Sequence, residues 1–194
     1  MSSDLSLRLD GLLKRLYIAY DGIGHSSGRP YIYFVYPPEE ERALCQGVRA
    51  ILRDNQTLRF HHVDLLPLTI AAIDNQEQKR QDLLASPRGT EAGIQIFQVW
   101  ARAVRQKLSQ LLAAVTDGRR PVIVLGGLAA LHPLGTPTAL MEILAEQELR
   151  DRQSQRMVPF VVLVPGVRPP QTSREYLFLG QEYLRCTLYR GEEW

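Results

Sequence analysis

Cysteine is scarce in this chain: Cys45 and Cys186 are the only two in 194 residues. They lie far apart and match no C-x-x-C or zinc-ligand spacing. A disulfide or a reactive thiol is one reading. The other, expected here, is two small buried residues, because a free cysteine packs like an apolar side chain. Long hydrophobic runs are missing as well, and no stretch approaches the roughly 20 apolar residues of a membrane span. The first residues, Met1-Ser2-Ser3-Asp4, lack the basic-then-apolar pattern of a secretory leader. The expectation is therefore a cytoplasmic protein with no membrane association. Nor is there an excess of either charge: the net is +2 and the pI about 8.6, which does not favour nucleic acid as a strongly basic domain would. Lysine is nearly absent, with Lys14, Lys79 and Lys107 the only three among 23 basic residues. The arginine that replaces it suits forked interface contacts, although genome composition produces the same bias.

What is present is a globular composition, 45% apolar and 23% charged, in a chain long enough to bury a substantial core as one domain spanning residues 1–194. Residues 4–20 carry leucines at largely helical spacing, and the glycine- and serine-rich stretch 22–30 (GIGHSSGRP) reads as a loop holding His25. Residues 31–36 (YIYFVY) form an unbroken aromatic and β-branched run, the pattern of a strand covered on both faces. Pro37-Pro38 stops it, and a helix with an acidic first turn, Glu39-Glu40-Glu41, extends to about Asn55. A second strand is predicted over 58–66, a weak helix over 69–84, and a strong one over 93–116 with Ile96, Trp100, Val104, Leu108 and Leu112 on one face. Residues 121–125 (PVIVL) form another buried-type strand ending at Gly126-Gly127. Thr136-Pro137 has the signature of a helix start, and that helix is predicted to reach about Arg152. Residues 159–164 (PFVVLV) give a further strand closed by Pro165-Gly166. A short connection through Tyr176-Leu177-Phe178 then leads to an edge strand over 183–189. Strands alternating with helices predict an α/β fold, a mostly parallel sheet flanked by helices, Rossmann- or P-loop-like in architecture but without a Walker A motif.

Such folds usually carry their chemistry at the carboxyl ends of the strands. A P-loop needs G-x-x-x-x-G-K-[S/T], so that backbone amides and a lysine surround the phosphates; nothing matches, and the three lysines lie in predicted helices. A dinucleotide site would place G-x-G-x-x-G after the first strand, where Pro37-Pro38 stands instead. His61-His62-x-Asp64 contains metal-ligand types, but adjacent strand residues point to opposite faces. There is no G-x-S-x-G nucleophile elbow. Cys45 falls beside the apolar face of a helix, and Glu39–Glu41 reads as a solvated helix start. No catalytic residue, metal site or cofactor is expected.

Four segments taken in order carry a resemblance: 31–41 (YIYFVYPPEEE), 121–144 (PVIVLGGLAALHPLGTPTALMEIL), 159–166 (PFVVLVPG) and 183–188 (YLRCTL). The arrangement resembles BrxB, a small component of the BREX bacteriophage-exclusion systems. That family has an N-terminal helix, a P-[FY]-x-[IV]-[FY]-x-Y-x-P-like strand before a charged helix, a strand entering a glycine- and proline-containing turn with a leucine-rich helix, and a strand ending in P-G. This chain departs from the pattern in the directly adjacent Gly126-Gly127 and in the residues 167–171 that follow the third segment. The resemblance implies a role in phage defence beside a DNA methyltransferase, a large ATPase and PglZ. It further implies a non-enzymatic assembly component, with PglZ the first partner to test and an indirect association with DNA through the complex.

In an open parallel sheet the ligand crevice lies outside the carboxyl ends of the strands. The expected partner-binding surface therefore comprises Tyr36, Pro37, Pro38, Glu39, Gly126, Gly127, His132, Pro133, Pro165 and Gly166. These residues fix backbone rather than react, although Pro and Gly also simply end strands. Two other functions stay open: a nucleotide-binding or hydrolytic enzyme with a degenerate P-loop-like fold, and a DNA-binding accessory protein acting through its arginines.

Overall fold

The computed structural model describes residues 3–21, 30–74, 76–85, 89–115, 117–146, 149–170, 172 and 174–194. The stretch read as the GIGHSSGRP loop, with His25, lies outside them apart from Pro30. In chain order come α1 (Ser3–Asp21), β1 (Tyr31–Tyr36), a 3-10 turn (Pro38–Glu40), α2 (Glu41–Ile51) and β2 (Leu58–Asp64). Helices α3 (Leu65–Ala72), α4 (Glu77–Ala85) and α5 (Gly89–Ala113) lead into β3 (Arg120–Gly126). A second 3-10 turn (Leu128–Leu131) and α6 (Pro137–Ala145) precede β4 (Phe160–Val167), β5 (Glu175–Phe178), β6 (Arg185–Thr187) and β7 (Gly191–Glu193).

Among the described residues these seven strands make one sheet. Its parallel part runs β2-β3-β4-β1-β7, and β5 and β6 extend it as an antiparallel hairpin attached to β4. The α/β class and the mostly parallel sheet flanked by helices are thus as the sequence predicts.

Alternation explains the unbroken apolar runs. On β1, β3 and β4, residues such as Tyr33, Ile123 and Val162 face a layer built from α5, α6 and the second 3-10 turn. Their neighbours Phe34, Val124 and Val161 face the layer formed by α1 and α2. A strand covered on both faces has no polar side, and every residue of β1 is buried. The burial of Leu9, Leu12 and Leu16 on one layer and of Trp100, Val104 and Leu108 on the other is the main stabilising term, since each large apolar side chain removed from water contributes roughly 1.5–3 kcal/mol.

Several boundaries differ from the predicted ones, each for a local reason. The strand predicted over 58–66 stops at Asp64, whose carboxylate accepts the Leu66 N–H at 3.0 Å and starts α3 there. Pro67 is tolerated because a first-turn N–H has no helical partner to lose. The single weak helix predicted over 69–84 is really two, α3 and α4, parted by the turn at Ile73-Asp74. Helix α6 is capped by Thr136, whose hydroxyl accepts the Ala139 N–H at 3.2 Å, but it ends at Ala145 rather than near Arg152. Beyond it the Asp151 carboxylate captures the N–H of Gln153 and of Ser154 together with the Ser154 hydroxyl. Such local side-chain bonds compete with helix.

Pro165-Gly166 does not close β4. The strand runs on to Val167, pairing Pro165 with Tyr36 of β1 and Gly166 with Phe178 of β5. The 165–166 pair suits this site: the Pro165 carbonyl accepts the Leu179 N–H, and a Cβ on Gly166 would lie 2.6 Å from the Leu177 carbonyl oxygen. The Tyr176-Leu177-Phe178 connection is itself strand β5, with Tyr176 and Phe178 fully buried.

Candidate functional site

The connections define where a crevice forms. β1 leaves through α2, on the α1 side of the sheet, whereas β2 and β3 leave through α3 and the second 3-10 turn on the other side. The strand order is neither of the two commonest doubly wound orders, but the rule is the same: a crevice opens where neighbouring strands send their connections to opposite faces. Here β1 and β3, whose connections take opposite faces, stand on either side of β4, whose own connection stays in the sheet as β5. The crevice lies at the carboxyl end of β1 beside β4. A cleft of about 500 Å³ lies there, lined by Val35, Tyr36 and Pro37 from β1 and its exit, by Gly166, Val167 and Arg168 from the end of β4, and by Glu193, Trp194 and Arg8.

Only part of the predicted surface lines that cleft. Tyr36, Pro37 and Gly166 border it; Pro165 is buried in its pairing with Tyr36, and Pro38 and Glu39 sit in the 3-10 turn behind. Gly126 and Gly127 line a separate hollow of about 40 Å³ with Cys45, His62 and Asp64. His132 and Pro133 are exposed in the turn after Leu131, joined by a cis peptide. The β5–β6 hairpin accounts for the division. It pairs with the end of β4 on the β3 side, so it fills the space beyond the end of β3.

The chain's own groups take up part of the hydrogen-bonding capacity of these turns. At the β1 exit Pro37 and Pro38 carry no N–H, the Glu40 N–H bonds to the Pro37 carbonyl at 2.9 Å, and Glu39, Glu40 and Glu41 bring three carboxylates to the helix start. The phenol of Tyr36 donates to Glu41 Oε2 at 2.6 Å; burial first, and then that bond, push its pKa well above the usual tyrosine value. At the β3 exit Gly127 adopts φ 68°, and a Cβ there would lie 2.3 Å from Asp64 Oδ1 and 3.2 Å from the Leu65 and Leu66 nitrogens. The start of α3 is therefore covered by Gly127 and capped by Asp64. The start of α6 is capped by Thr136.

The two histidines diverge. His62 Nε2 donates to the Leu52 carbonyl at 2.7 Å, while burial and nearby Arg59 push the His61 pKa down. Among the described residues no group of three or more His, Cys, Asp or Glu side chains is placed to hold a metal ion. Both cysteines are free thiols. Cys186 is buried opposite Tyr176, and Cys45 is half-buried with its sulfur 3.9 Å from Glu41 Oε1. Burial raises both thiol pKa values, with Glu41 adding to the effect at Cys45.

The cleft's charged groups come from segments that no local motif singles out. The Arg8 guanidinium stacks over the Phe34 ring at 4.3 Å, and its Nη2 donates to the main-chain oxygens of Val35 and Trp194, both at 3.0 Å. Arg168 pairs with Glu193, whose pKa burial raises against the opposing pull of Arg168 and Arg8. Trp194 donates its indole N–H to the Arg8 carbonyl at 2.9 Å and packs against Gly11. The only sequence signal was indirect: an arginine on the inward side of an otherwise leucine-lined helix.

Fold and site together define a doubly wound α/β protein with a cationic cleft at its topological switch point. Comparison with protein-family models, with curated proteins and with solved structures found no match. Among the described residues, no helix is long and apolar enough to cross a membrane.

Proposed function

We propose that this chain is a non-enzymatic assembly component of a BREX anti-phage complex and that it docks on PglZ. The observation that carries the reading is the way the strand-end turns are occupied by the chain's own groups. Prolines and three carboxylates stand at the β1 exit, Asp64 caps α3 beneath Gly127, and Thr136 caps α6. Phosphate-binding turns of this architecture work through free backbone N–H groups and a helix start without local carboxylates. Here the Glu40 N–H goes to a carbonyl, the Leu66 N–H to Asp64 and the Ala139 N–H to Thr136. The four segments that resemble BrxB correspond to β1 with its exit, β3 through α6, β4, and the region of β6.

An apolar face supports a protein partner. Helix α3 is apolar on both sides, and its outward residues include Leu66, 54% exposed, and Ile70, 60% exposed, with Pro67 and Ala71 also in solvent. Contiguous apolar surface of this kind marks interaction sites more often than chance exposure.

The test is co-purification of the tagged chain with PglZ expressed alongside the other BREX components. Stoichiometric recovery is expected, reduced in a Leu66→Glu, Ile70→Glu double variant that still folds. A monodisperse chain that recovers no BREX component overturns the proposal. So does saturable, magnesium-dependent binding of ATP or GTP in calorimetry.

A further inference from the structure

We infer that the cleft at the ends of β1, β4 and β7 is a recognition site for a carboxylate carried on an apolar or aromatic body. Its placement at the switch point and its volume of about 500 Å³ fall within the ordinary range for small-ligand sites, about 300–1,000 Å³. The inference goes beyond the proposed assembly role and does not depend on the identity of any partner.

Charge selects the class of ligand. Arg8 and Arg168 line the cleft against one acidic side chain, Glu193. Arg8 is preorganised: two main-chain bonds through Nη2 and the stack on Phe34 hold the guanidinium plane, while Nη1 and Nε are used in neither bond. A fixed, planar fork is the group that recognises carboxylate with the least loss of freedom. Arg168 is 56% exposed on its side chain and already holds a carboxylate, that of Glu193. This internal pair shows the geometry the cleft accommodates, and a ligand carboxylate would take the place of Glu193 or share Arg168 with it.

Carboxylate is favoured over phosphate. A dianion would meet Glu193 at close range, and Pro37 and Pro38 remove the backbone donors that phosphate sites collect at a strand exit. The rest of the wall is apolar: Val35, Pro37, Val167 and the Trp194 indole, with Val167 46% exposed. Such a wall contributes affinity through a hydrophobic body while the arginines set orientation. The carboxylate could come from a free small molecule or from the end of a peptide chain, and main-chain carboxylates are captured in this manner elsewhere.

Trp194 supplies the assay. It lines the cleft, whereas the other tryptophan, Trp100, is buried in the opposite layer. In a Trp100→Phe background, Trp194 fluorescence and calorimetry are followed against N-acetyl-phenylalanine and its amide, and against a peptide ending in phenylalanine with a free or amidated terminus. Binding of the acid forms is expected, about tenfold weaker on amidation and about tenfold weaker in Arg168→Gln. Glu193→Gln should strengthen the acid forms, because it removes the internal competitor. Tighter binding of N-acetyl-phenylalanine than of the peptide identifies a free molecule as the source of the carboxylate, and the reverse order a peptide terminus. The inference is overturned if acid and amide bind alike, if Glu193→Gln weakens binding in a folded variant, or if Trp194 fluorescence and heat stay flat with every probe to millimolar concentration.

Discussion

Gly127 offers a quantitative test of whether the strand-end glycines are steric or chemical. It lies at φ 68°, and a methyl group there would fall 2.3 Å from Asp64 Oδ1, the atom that accepts the Leu66 N–H and caps α3. In Gly127→Ala the left-handed backbone costs about 1–2 kcal/mol. Displacing Asp64 forfeits the cap, about 1 kcal/mol. The stiffer unfolded chain offsets roughly 0.5 kcal/mol, so the net loss is about 2 kcal/mol. Asp64→Ala alone forfeits only the cap, about 1 kcal/mol. With the carboxylate already gone, the alanine methyl meets only the Leu65 and Leu66 nitrogens at 3.2 Å, a contact that a small shift relieves. The double variant should then lose about 2 kcal/mol rather than the additive figure of about 3. The assay is urea unfolding followed by tryptophan fluorescence and far-ultraviolet circular dichroism. With a slope of about 2 kcal/mol per molar, Gly127→Ala should shift the midpoint by about 1 M. Strict additivity in the double variant would falsify the account, because it would mean that Gly127 and Asp64 do not share the start of α3.

Alkali provides a second measurement. Burial raises the phenol of Tyr31 to about 12 and places those of Tyr33, Tyr36 and Tyr176 well above the ordinary value. A phenol whose folded pKa is raised contributes stability that is complete below the unfolded value near 10 and is lost as pH rises through the folded value. Phenolate absorbance should therefore show these four tyrosines ionising only as the chain unfolds at strongly alkaline pH; their smooth titration near pH 10 in the folded protein would contradict their burial. At the opposite edge of the sheet, Gly191→Ala places a methyl 2.3 Å from the Tyr33 ring and 2.7 Å from the Tyr31 carbonyl oxygen. It should detach β7 and move Trp194 emission to longer wavelength, and unchanged emission would show that β7 tolerates the substitution.

What the sequence by itself determined was the layering. Runs such as 31–36 and 159–164 have no polar alternation, and that required strands buried on both faces. The leucine spacing of α1 and the Trp100–Val104–Leu108 stripe of α5 required the helices that cover them. These are properties of consecutive residues, so local periodicity reports them. Caps were partly legible for the same reason: Thr136-Pro137 starts α6 as its residue types predict, whereas Asp64 at the end of a strand-like run gave no warning that β2 would turn directly into α3.

The tertiary structure alone decided how the strand ends are shared out. Nothing near Gly191-Glu192-Glu193 marks a strand; it exists because β1 presents an unpaired edge and glycine leaves room for the Tyr33 ring. Nothing in Pro165-Gly166 indicates that β5 pairs there, fills the space beyond β3, and separates Gly126-Gly127 from the cleft. The cleft itself joins Arg8, Arg168 and Glu193, residues up to 185 positions apart. Local pattern sets which face of an element is buried; which ends meet, and with what charge between them, is fixed by strand order and register.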